Sequence, residues 1–173
     1  MKISFVAGFG PIVRDPESSQ AFWRDALGID LEEAAPGYFT NDSLDGVRAF
    51  ALWPLTQAAE STFGTPDWPA DLPVPQAWLE LDVDSPSAVA SAVEELRAAG
   101  HRLLKDAHEE PWGQTTARLQ SPEGLLVGVT YTPWMHGASA PPESDAEADA
   151  DAAAEAEGAE ADAGAEAEGA EES

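Results

Sequence analysis

The sequence predicts an α+β fold, a single domain of two successive β-α-β-β-β units followed by a disordered acidic tail. Three observations carry this. The order strand, Asp/Ser-Pro, helix, Gly, strand occurs twice, about 70 residues apart, as a duplicated unit requires. All 14 aromatic residues lie in 1–142, a length suited to one domain. The charge is uneven, with 13 of the 33 acidic residues falling in 143–173.

The apolar, glycine-bearing run Ile3–Val13 reads as a strand that ends at Arg14-Asp15-Pro16, where Asp caps a helix and Pro takes its first position. From Pro16 to Leu27, Ala21, Phe22, Ala26 and Leu27 fall at helical spacing, and Gly28 supplies the left-handed stop. Short strands are expected at Ile29–Glu33, Tyr38–Asn41 and Val47–Trp53, punctuated by Pro36-Gly37 and Asp45-Gly46. Residues 56–75, rich in Pro, Thr and Ala, form a crossover with one short helical turn at Gln57–Ser61. The second unit then runs through a strand at Trp78–Val83 and a helix capped by Ser85-Pro86. In that helix Val89, Val93 and Leu96 share a face, and Gly100 ends it. Strands follow at His101–Ala107, Gln114–Leu119 and Leu125–Thr132, the last two separated by the turn Ser121-Pro122-Glu123-Gly124. The domain is expected over 1–137, with units at about 1–54 and 76–133.

Residues 143–173 contain 13 Ala, 13 Asp or Glu, three Gly and two Ser, with no basic or aromatic residue. Nothing there can offset an ordering cost of roughly 1–2 kcal/mol per backbone residue. Residues 138–173 are therefore expected to be a disordered tail.

Composition excludes several functions. The absence of cysteine removes disulfides, thiolate zinc sites, iron–sulfur clusters and cysteine nucleophiles. A net charge of −25 and the lack of a basic stripe argue against nucleic acid as a partner. No run approaches the roughly 18–20 apolar residues of a membrane span, and the N-terminus lacks a secretory cleavage pattern. A cytoplasmic protein without membrane contact is expected.

Three motifs carry a family resemblance. Val13-Arg14-Asp15 with Ala21-Phe22-Trp23-Arg24-Asp25-Ala26-Leu27-Gly28 is similar to "V-x-D … F-Y-x-x-x-L-G". Leu81-Asp82-Val83-Asp84 resembles the strand exit of a second module. Glu110-Pro111-Trp112-Gly113-Gln114 with Ser121-Pro122-Glu123-Gly124 resembles "P-W-G … D-P-x-G". Together, over about residues 5–130, they resemble the vicinal oxygen chelate superfamily, which includes glyoxalase I, extradiol dioxygenases and bleomycin-resistance proteins. The resemblance implies a curved mixed sheet around a cleft, commonly a homodimer, and in the enzymes a divalent ion held by His, Glu or Gln from four strands. Here the corresponding slots are Gly8, Ala51, Trp78 and Gly128, none of which can ligate through its side chain. A metal-free branch with no cofactor is the expectation. His101, His108 and His136 stand apart from these slots, and His108-Glu109-Glu110 reads as a solvated loop.

Period-two alternation from the slots turns Trp53, Glu80, Leu126 and Thr130 inward, and Gln114, Thr116 and Arg118 share one face. The candidate ligand-binding residues are therefore Trp53, Trp78, Glu80, Gln114 and Arg118, a composition suited to a small, planar, partly apolar organic ligand. The competing readings are that the indoles fill a closed core and that Glu80 and Arg118 simply pair. Two further functions stay open: an enzyme (lyase, isomerase or dioxygenase) using Glu80 with Arg118 as an acid–base pair, and an accessory protein whose acidic tail meets a basic partner. Trp68, between Asp67 and Pro69, is either an interface contact or part of a lid over the cleft.

Overall fold

The structure, a computed structural model, describes residues 1–137; the tail expected at 138–173 lies outside the described residues. Eight strands form one mixed sheet: β1 (Phe5–Val13), β2 (Glu32–Ala35), β3 (Tyr38–Asn41), β4 (Phe50–Pro54), β5 (Ala77–Asp82), β6 (Leu103–Glu109), β7 (Thr115–Gln120) and β8 (Leu126–Tyr131). Their order is β2-β3-β4-β1-β5-β8-β7-β6, so each unit repeats the same arrangement. β1 lies parallel to β4 and β5 parallel to β8, while β1 and β5 join the units antiparallel, with Gly10 opposite Trp78. This is the duplicated α+β architecture the sequence predicts.

The first helix departs from expectation. Asp15 caps it by accepting from the Ser18 N–H at 3.3 Å, but only Pro16–Gln20 (α1) is α-helical. Ala21–Ala26 widens into a π-helix, and the Leu27 N–H reaches back to the Phe22 carbonyl at 3.1 Å. The wider turn rotates the side chains, so Trp23 meets Phe50 at 5.4 Å while Phe22 and Leu27 stay 54% and 55% exposed. Apolar residues chosen by a 3.6-residue period thus point to solvent. Trp23 instead joins Val13, Leu31, Phe39, Phe50 and Leu52 in the first unit's core.

In the second unit, α3 (Pro86–Ala98) begins at Ser85, whose hydroxyl accepts from the Ala88 N–H at 3.2 Å. Its Val89, Ala92 and Val93 pack on Val83, Ala117 and Val129. The first-unit and α3 cores occupy the outer face of the sheet. The inner face is covered by the crossover, which holds more than the single turn expected: α2 (Leu55–Phe63) is a nine-residue helix ended by Gly64 at φ 75°. Ala58 of α2 sits against Ile12, Ala51, Trp53, Trp78 and Leu126. Trp68 packs on the same cluster and its indole N–H donates to the Pro73 carbonyl at 3.2 Å. The Pro-rich strap therefore folds over the chain's own cleft.

Candidate functional site

Alternation along five strands builds the inner face. Gly8, Gly10 and Ile12 from β1, Ala51 and Trp53 from β4, and Trp78 and Glu80 from β5 project into it. Thr116 and Arg118 from β7 and Leu126, Gly128 and Thr130 from β8 complete it. Ala117 and Leu119 take the opposite face, against α3, as the β7 pattern predicts. β1 and β4 approach so closely that a Cβ on Gly10 would lie 1.9 Å from the Ala51 carbonyl oxygen, which explains the glycine there.

All five candidate residues come together. The Trp53 and Trp78 rings meet edge to face at 5.8 Å, and both indoles are buried, at 7% and 4% exposure. They pack on each other beneath Ala58 of α2. The Arg118 guanidinium lies 4.9 Å above the Trp53 ring. It donates to Glu80 Oε1 at 3.3 Å and to Glu110 Oε1 at 3.0 Å, although only 1% of the Arg118 side chain is exposed. Gln114 Nε2 donates to Glu80 Oε2 at 2.8 Å and to Thr132 Oγ1 at 3.1 Å, while Gln114 Oε1 accepts from the Trp112 indole at 3.0 Å. Trp112, 40% exposed, marks where this network reaches solvent.

Sequence reasoning missed Glu110. The expected solvated loop is instead the end of β6 and its continuation, and Glu110 is only 5% exposed. Its Oε1 also accepts from Ser61 of α2 at 2.5 Å and lies 3.3 Å from His108 Nε2. His108 Nδ1 lies 3.0 Å from the Asp106 carbonyl. Extending the alternation of β6 past Ala107 would have placed His108 and Glu110 on one face. Tyr38 from β3 borders the same network. Burial, then the charges of Glu80 and Asp42, raise its phenol far above the usual range, against a smaller opposing effect of Arg118.

Among the described residues, two buried side-chain atoms lack a hydrogen-bond partner: Thr116 Oγ1 and Arg118 Nε. Both belong to this face. A Cβ on Gly128 would lie 3.4 Å from both Thr116 Oγ1 and Glu80 Oε1 and 3.0 Å from Glu80 Cγ. The orphaned hydroxyl and the Glu80 carboxylate therefore flank the space above Gly128.

The metal that this fold holds in its enzymes does not fit these residues. The Trp78 ring fills the room above Gly8, where a Cβ would come within 2.5 Å of it, and Glu80 leans over Gly128. The single carboxylate among the slots and their inward neighbours, Glu80, already accepts from Arg118 and Gln114. Among the described residues no three His, Asp or Glu side chains gather closely enough to share an ion.

His136, which stands apart from the four slots, is held by the fold. It lies in a 3₁₀ turn, Pro133–His136, stacks on Tyr131 at 4.9 Å, and brings Nε2 within 2.6 Å of Asp82 Oδ1. Asp82 is fully buried and also accepts from the Thr132 N–H at 3.0 Å. Among the described residues no helix is long and apolar enough to cross a membrane.

Comparison with known proteins places this geometry. Residues 9–130 match the family described as a glyoxalase-like domain. No curated protein sequence matches the chain. Among solved structures, one described as an NAD-dependent benzaldehyde dehydrogenase from Legionella pneumophila aligns at 14% identity with a TM-score of 0.52. That alignment covers 72% of this chain and 96% of the other. A glyoxalase/bleomycin resistance protein/dioxygenase superfamily member from Vibrio splendidus 12B01 aligns at 20% identity and TM-score 0.47, over 74% of this chain and 98% of that one. Streptomyces coelicolor methylmalonyl-CoA epimerase aligns at 13% and 0.46, over 76% and 99%. With its duplicated units, its inner-face site and a family match spanning most of the described domain, the chain belongs to the glyoxalase-like domain family of the vicinal oxygen chelate superfamily.

Proposed function

We propose that the protein binds a small, planar, partly apolar organic molecule on its inner face without a metal ion, in the manner of the bleomycin-resistance branch of its superfamily. The observation that carries this reading is the pair of orphaned polar atoms, Arg118 Nε and Thr116 Oγ1, in the layer where the superfamily's enzymes hold their ion. A buried polar group without a partner costs about 1–3 kcal/mol. A ligand oxygen accepting from Arg118 Nε would remove that cost. The apolar body of the ligand would lie against Trp53, Trp78 and Leu126, which α2 covers through Ala58. Binding therefore requires α2 to move, and the Ser61–Glu110 contact to part.

The enzyme reading draws less support. Both oxygens of Glu80 already accept from donors, Arg118 and Gln114, which suits a fixed acceptor better than a proton-abstracting base.

The test is a panel of planar aromatic carbonyl and carboxylate compounds added to the full chain and followed by tryptophan fluorescence. The expected result is a saturable quench that Trp53→Phe or Trp78→Phe largely removes and Trp134→Phe leaves intact. Thr116→Val, which deletes only the orphaned hydroxyl, should weaken binding by about threefold to tenfold, the worth of one hydrogen bond. No saturable response across the panel, or a response unchanged by Trp53→Phe and Trp78→Phe, refutes the reading. Glu80→Gln should keep binding; loss of a turnover with binding retained would install the enzyme in its place.

A further inference from the structure

The free edge of the sheet gathers an unusual share of the chain's cationic residues. β6 is the last strand in the sheet order, and beside it lies an open depression of about 660 Å³ lined by Arg97 and residues 101–108, which mix Arg102, Lys105 and two histidines with Leu103, Leu104 and Ala107. The chain has only eight Lys and Arg and three His against 33 acidic residues, yet three of those eight and two of those three meet here. The one carboxylate in the wall is committed, since Asp106 pairs with Arg97. Among the described residues neither Arg102 nor Lys105 has an ion-pair partner.

Two cations are left without an ion-pair partner in one depression, although in a chain this acidic a neutralising carboxylate is easily supplied. Edge protection against strand pairing calls for a charged side chain on β6, and Lys105 alone would serve. It does not call for a depression flanked by two arginines and two imidazoles. We infer that this depression binds a small organic anion with two or more negative charges, either a phosphoryl compound or a polycarboxylate, with Arg102 and Lys105 as the cations that hold it and His101 at its side. Cations of this kind attract a multiply charged anion locally even where the net charge repels it, because screening limits the distant carboxylates to within about 8–10 Å. The guanidinium supplies paired donors and the ammonium a point charge, a combination suited to oxyanions.

The experiment uses the full chain with inorganic pyrophosphate and citrate as separate probes, at constant ionic strength set by chloride, and follows the imidazole resonances of the three histidines. The expected result is a saturable shift of His101 at millimolar or lower probe concentration, with His136 unmoved. A response to pyrophosphate alone identifies a phosphoryl ligand, to citrate alone a polycarboxylate, and to both a site that reads charge. Arg102→Gln with Lys105→Gln should keep the unfolding midpoint and weaken binding by about twofold to thirtyfold, as loss of two charge contacts predicts. Shifts that do not saturate, that move all three histidines alike, or that survive the double substitution overturn the inference. Since the inner-face assay reads tryptophan quenching by uncharged planar compounds as well, failure of either site leaves the other standing.

Discussion

Replacing Arg118 by methionine tests whether the inner face is organised around its one buried cation. At an effective dielectric of about 20, each of the two contacts at 3.0 and 3.3 Å is worth about 5 kcal/mol of attraction. Against this stand the desolvation of three ions, several kcal/mol each, and the repulsion between Glu80 and Glu110, so the intact triad contributes little net stability. Its removal does not return the system to zero. Arg118→Met keeps the apolar stem over Trp53 but takes the shared guanidinium from two carboxylates that are 12% and 5% exposed, leaving His108 beside Glu110. The expected loss is about 3–5 kcal/mol, or about 10–20 °C in midpoint for a domain of this size. Urea denaturation of the full chain measures it. The triple variant Arg118→Met, Glu80→Gln, Glu110→Gln should recover most of the loss. A single variant within about 1 kcal/mol of the parent would refute the account.

Three further predictions rest on other contacts. Gly10→Ala should unfold the domain, because its Cβ would lie 1.9 Å from backbone, whereas Gly8→Ala should cost only the few kcal/mol needed to displace the Trp78 ring; circular dichroism and thermal melts separate them. Tyr38, one of two tyrosines, should resist ionisation until the chain unfolds. Its folded pKa is raised, so its contribution is present below about pH 10 and is lost above it at about 1.4 kcal/mol per unit, as tyrosinate absorbance and alkaline unfolding would show. His136→Ala should cost about 1–3 kcal/mol by leaving buried Asp82 with the Thr132 N–H as its remaining partner, and His136→Gln should restore part of it in a urea titration.

The sequence by itself determined the elements whose signals are local. Asp15-Pro16 and Ser85-Pro86 mark helix starts because capping geometry involves neighbours three residues apart, and both caps form as expected. Tyr38–Asn41 is a strand with the bounds its alternation predicts, and the two faces of β7 separate Arg118 from Ala117 because successive side chains must alternate. The duplicated order of elements carried the family and the five inner-face candidates. What only the tertiary structure decided involves partners far apart in the chain. The π-turn at Ala21–Ala26 overrode a regular period and exchanged Phe22 for Trp23 in the core. Glu110 and His136 gained their roles from Arg118 and Asp82, eight and 54 residues away, at distances no spacing rule encodes. The inner face was legible as a set of residues but not as a filled space. Whether Trp53 and Trp78 bound an open cleft or a closed one depended on where residues 55–75 fold, and α2 closes it because Ala58 and Trp68 bury apolar surface against the same indoles.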